Sequence, residues 1–91
     1  MKFLHAREYV AGTQYIRVDS DTQCNVILTD DANFQAYQRG ETFRYFGGGF
    51  FKEFPAILVP PYPGNWNVTI DLGGGSANIR YSITVAAISG G

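Results

Sequence analysis

The 91-residue chain has one cysteine, one histidine, one tryptophan and one methionine, and only 16% of its residues are charged. A lone Cys24 excludes an intrachain disulfide, and its alternation with Val26 and Leu28 reads as a small buried apolar group before a reactive one. A lone His5, with only Cys24 as a second soft donor, excludes the usual zinc ligand sets. Seven basic residues against eight acidic ones leave a net charge of -1. That balance argues against affinity gained by neutralising phosphates or an anionic membrane. No apolar run reaches the length of a bilayer span. The opening MKFLHAREYV is broken by His5, Arg7 and Glu8, so it does not read as a signal peptide. Together these shortages point to the cytoplasm and to no metal or cofactor.

What is present is a core. Hydrophobic residues make up 45% of the chain and aromatics 15%, which excludes disorder and, with many β-branched residues, favours strands. Residues 1–91 are therefore expected to form a single β domain. Lys2 to Tyr9 reads as a first strand, with Phe3 and Leu4 on opposite faces. Tyr15 to Asp19 reads as a second, burying Ile16 and Val18, and Cys24 to Leu28 as a third. Asp30 to Gly40 is the one helical segment. Its acidic start, Phe34 and Tyr37 three apart, and Gly40 after Arg39 predict a short helix near 31–39 that must dock on a sheet. Thr42 to Phe46 reads as a further strand interrupted by Gly47 to Gly49. Ala56 to Val59, bounded by Pro55 and Pro60, reads as an edge strand.

The longest alternation runs from Trp66 to Val85. Trp66, Val68, Ile70 and Leu72 alternate with Asn67, Thr69 and Asp71, and Ile79, Tyr81, Ile83 and Val85 with Asn78, Arg80, Ser82 and Thr84. The pattern predicts a β-hairpin turning at Gly74 and Gly75 or at Gly73 to Ser76, with Ile70 opposite Ile79, Val68 opposite Tyr81 and Thr69 opposite Arg80. The expected fold is all-β: a mostly antiparallel β-sandwich or open barrel of about six or seven short strands.

Catalytic patterns are scarce. His5 and Cys24 read as ordinary strand positions. Asp19 and Asp21 suit a turn, and Asp30 and Asp31 a helix start, more simply than an acid/base pair or a cation site. Asn67-Val68-Thr69 matches a glycosylation acceptor but lies within a strand. Neither glycine run is followed by the lysine-threonine helix start of a phosphate loop. Arg44 to Phe54 has the basic-glycine-aromatic composition of an RNA-stacking strand, but one short helix and no positive charge argue against nucleic acid. The sharpest interaction candidate is the adjacent pair Phe50 and Phe51, which an extended chain must point to opposite faces, with Lys52 beside them. Tyr62, among the prolines, is a further candidate. These features favour a non-enzymatic binding or assembly module that takes a protein partner or a second copy of itself. The alternative is a sensor for a small ligand such as a sugar or nucleotide, through Trp66, Tyr62 or Tyr45.

In KFLHAREY, QCNV, DDANF, FFKEFPA, GNWNVTIDLGGG and NIRYSI, the chain resembles a small bacterial family catalogued as a domain of unknown function. The resemblance spans nearly the whole chain. It implies compact β domains that occur alone or fused ahead of a Toll/interleukin-receptor-type domain, and it supplies no catalytic residues.

Overall fold

The computed structural model describes residues 3–72 and 79–88, which form two antiparallel sheets and one helix. In chain order the elements are β1 (Phe3–Val10), β2 (Gln14–Ser20), β3 (Cys24–Thr29), α1 (Asp31–Gln38), β4 (Gly47–Phe51), β5 (Ala56–Leu58), β6 (Gly64–Asp71) and β7 (Tyr81–Ala87). A four-stranded sheet runs in the order β1-β6-β3-β4 and a three-stranded sheet in the order β5-β2-β7. The fold is an all-β sandwich, and among the described residues neither sheet closes into a barrel.

Period-2 alternation builds the layer between the sheets. Trp66, Val68 and Ile70 of β6 stand beside Val26 and Leu28 of β3 and face Ile16 and Val18 of β2, all fully buried. Ala56 and Leu58 close one side, while Ile83 and Val85 close the other at half burial. Cys24 lies in this layer at 3% exposure, and loss of hydration pushes its thiol up from the ordinary value.

The expected hairpin does not form. β6 pairs with β1 and β3, whereas β7 pairs with β2 in the other sheet. Thr69 therefore stands between His5 and Ile27 rather than opposite Arg80, and the Arg80 amide donates to the Asp21 carboxylate at 3.1 Å. The glycine turn proposed for this hairpin lies outside the described residues. Only β3, α1 and β4 stay with one sheet in sequence; every other connection between consecutive strands crosses between sheets. An alternating strand hides its apolar face equally well by stacking on the next strand as by pairing with it.

The second correction is at β4. Thr42 to Tyr45 is irregular, and the glycines themselves form the strand, with Val26 opposite Gly49 and Ile27 opposite Gly48. Gly48 has φ +113°, and a Cβ there would come within 1.9 Å of the Val26 carbonyl oxygen. Glycine is what lets this backbone approach β3 at all.

On its outer face the four-stranded sheet carries α1. Asp30 caps the helix by accepting from the Asn33 amide at 2.9 Å, and Phe34 and Tyr37 turn down onto Phe3 with ring centroids 6.0 and 5.3 Å away. The polar side of β6 is therefore also inside: Asn67 and Thr69 are each 1% exposed.

Candidate interaction surface

Alternation along β4 settles the directions of its two phenylalanines. Phe51 turns inward and packs against the core beside Phe54, their ring centroids 6.2 Å apart. Phe50 points outward and is 52% exposed. The chain from Phe50 to Pro55, with exposed Lys52 and Glu53 between, curves around an open concavity of about 620 Å³ as it passes from β4 to β5. A large apolar ring and two oppositely charged side chains thus lie along one open rim.

Tyr62 belongs elsewhere. Its ring lies 4.9 Å from that of Trp66 and 6.5 Å from that of Phe46, next to the Gly47 end of β4, whereas Phe50 is near the other end. Trp66 is fully buried and its indole Nε1–H donates to the Tyr62 carbonyl at 3.0 Å, so no ligand can stack on the indole. Tyr45 is exposed at the margin of the α1 aromatic cluster, 6.5 Å from the Phe43 ring. The four sequence candidates therefore divide: Phe50 and Lys52 share the rim, Phe51 supports it from the core, and Tyr62 lies apart.

The potentially reactive side chains converge on a different place, where α1 meets β1 and β6. The His5 ring stacks on Phe34 at 3.9 Å, and its Nε2 donates to Asn67 Oδ1 at 2.8 Å. Asn67 Nδ2 donates to Asp31 Oδ1 at 2.8 Å, and Arg7 grips both Asp31 oxygens through Nε and Nη2 at 2.9 and 2.8 Å. The hydrogen bond from Arg7, helped by that from Asn67, holds the Asp31 carboxyl down to about 2. A carboxylate so fully engaged is a strut rather than a proton donor. On the same face Tyr37 donates its hydroxyl to Asp71 Oδ2 at 2.8 Å, and burial, with that bond, pushes the phenol well above its ordinary value. Asp19 accepts from Arg17 at 2.9 Å. Among the described residues no group of three His, Cys, Asp or Glu side chains could hold a metal ion, and no helix is long and apolar enough to cross a membrane.

Sequence reasoning did not find this network, because its hydrogen-bonded pairs are 24 to 62 residues apart along the chain. The only local signal was Asn67 itself, an amide in a strand otherwise rich in core residues.

The model of the family described as Domain of unknown function (DUF1883) matches residues 1–89. The chain belongs to this family. No curated protein and no solved structure matches the chain. The family description names no activity, and the match takes in both the Phe50–Pro55 rim and the His5–Asn67–Asp31–Arg7 network.

Proposed function

We propose that this domain is a non-enzymatic binding module that takes a protein partner at the β4–β5 corner. The observation that carries the reading is Phe50: a phenylalanine held outward by a strand whose pairing fixes its direction, half exposed, with Lys52 and Glu53 on the same rim. An aromatic anchor flanked by charges is the composition of an interface centre with its polar border. Engagement of Asp31, His5 and Asp71 in holding α1 to the sheet supports a scaffold role for the groups that an enzyme would need free. The resemblance to relatives fused ahead of Toll/interleukin-receptor-type domains fits a recognition module coupled to an output, in a bacterial cytoplasm.

The test is a photo-crosslinking amino acid at position 50 of the full chain in its native cell, with the same group at exposed Thr22 as control. A discrete adduct specific to position 50, lost when Lys52→Glu is added, is the expected result. Identical labelling at both positions would contradict the assignment of the rim as the contact surface.

A further inference from the structure

A two-sheet sandwich has four edge strands, here β1 and β4 in one sheet and β5 and β7 in the other. Three carry features that discourage pairing with another chain. β5 is three residues long, between Pro55 and Pro60. β4 contains Gly48 and Gly49 at φ +113° and +147°, outside the regular pleat, and runs into Lys52. β1 carries Arg7 and Glu8, so a symmetric pairing centred on either would set like charges together.

β7 has none of these within its length; Arg80 directly precedes it. Its sequence YSITVAA contains no charge, proline or glycine, and it holds an unbroken seven-residue register with β2. At the two ends of that ladder Asp21 N–H donates to the Arg80 carbonyl and Ile88 N–H to the Thr13 carbonyl, at 3.0 and 2.7 Å. Even-numbered residues therefore aim their backbone groups at β2. By the alternation of an antiparallel ladder, Tyr81, Ile83, Val85 and Ala87 aim theirs at the other edge, where no described strand hydrogen-bonds to them, although β1 of the facing sheet approaches β7.

We infer that β7 is a self-association edge, pairing antiparallel with β7 of a second copy about a two-fold axis at Thr84. The strand is complementary to itself in this register. Ile83 meets Val85 of the second copy, and Tyr81 meets Ala87, through the outward-pointing N–H and C=O groups. On the opposite face Ser82 meets Ala86, and the two Thr84 side chains face each other. The pairing extends the three-stranded sheet into one of six strands and covers Ile83 and Val85, which the monomer leaves half-buried at the margin of its core. The inference goes beyond the reading of the domain as a binding module and uses a surface separate from the Phe50 rim. Because one strand pair is a small contact, the dimer is concentration-dependent rather than obligate.

Sedimentation of the wild-type chain across a wide concentration range should show mass rising from monomer towards dimer. Thr84→Lys, an exposed position, should leave the melting temperature unchanged and weaken dimerisation at least tenfold, with part of the loss recovered in high salt. Thr84 occupies a non-hydrogen-bonded pair, where Cα atoms stand about 4.5 Å apart, within disulfide reach. Thr84→Cys should accordingly oxidise to a covalent dimer much faster than Thr22→Cys. A strict monomer at the highest concentration, a dimer indifferent to Thr84→Lys, or equal oxidation of the two cysteine variants would overturn the inference. Persistence of the position-50 adduct in Thr84→Lys separates loss of this edge from loss of the binding module.

Discussion

β6 and β7 share one pattern, apolar and polar residues in strict alternation, yet they live in different surroundings. β6 is a central strand with the sandwich core on one face and α1 on the other, so Val68 and Thr69 are buried alike. β7 is an edge strand with one face open, so Thr84 is exposed and Ile83 only half-buried. Alternation specifies which residues share a face; the covering layer decides which faces are wet. Where a polar face is covered, its groups need partners. Asn67 finds them in His5 and Asp31, while the hydroxyls of Thr29 and Thr69 are buried without one in the structure.

Matched substitutions in the two strands test this contrast. Thr69→Lys forces an ammonium under α1 and should destabilise by more than about 4 kcal/mol, whereas Thr84→Lys should stay within about 0.5 kcal/mol in urea unfolding. Equal effects would erase the distinction between the faces. Ile70→Ala removes a fully buried side chain from the centre of the core and should cost about 2–5 kcal/mol. Ile83→Ala, at the margin, should cost about 1–2 kcal/mol.

The polar network on the covered face sharpens the comparison further. Asn67→Ala deprives His5 and Asp31 of a shared partner and should cost about 1–3 kcal/mol, although no apolar contact of the core is touched. Asp31 is held at about 2 against an ordinary 3.8. A depressed carboxylate stabilises the fold fully above its unfolded value, and that contribution is lost as pH falls through the folded one. Acid unfolding between roughly pH 4 and pH 2 should therefore be less steep in Arg7→Ala, which at neutral pH should change stability little because the pair is half exposed and screened by solvent. Tyr37 works in the opposite sense. Its raised phenol contributes fully below about pH 10, and the contribution declines as pH climbs towards the folded value, so Tyr37→Phe should flatten the alkaline limb of the stability profile.

Much of the fold was legible in particular residues. Ile16 and Val18, then Cys24, Val26 and Leu28, declared the buried faces of β2 and β3 by period alone. Asp30, Phe34 and Tyr37 declared a capped helix with one docking face, and Pro55 and Pro60 marked β5 as an edge. Two features were illegible for physical reasons. Gly47 to Gly49 carry no side chains to alternate, and their role depends on how closely the Val26 backbone approaches. The pairing of β7 with β2 instead of β6 depends on a choice between stacking and pairing to which the apolar period is blind. Within the interaction surface, the opposed directions of Phe50 and Phe51 followed from extended geometry, but which ring faced outward required the register of β4 on β3.

Cross-strand Hα–Hα nuclear Overhauser effects test the separation of β6 from β7 most directly, because they arise only between residues directly opposite in an antiparallel pair. The two-sheet arrangement predicts strong effects between Ile16 and Val85 and between Val18 and Ile83. An effect linking Val68 to Tyr81 would instead establish the hairpin, return β7 to the edge of β6, and contradict the account.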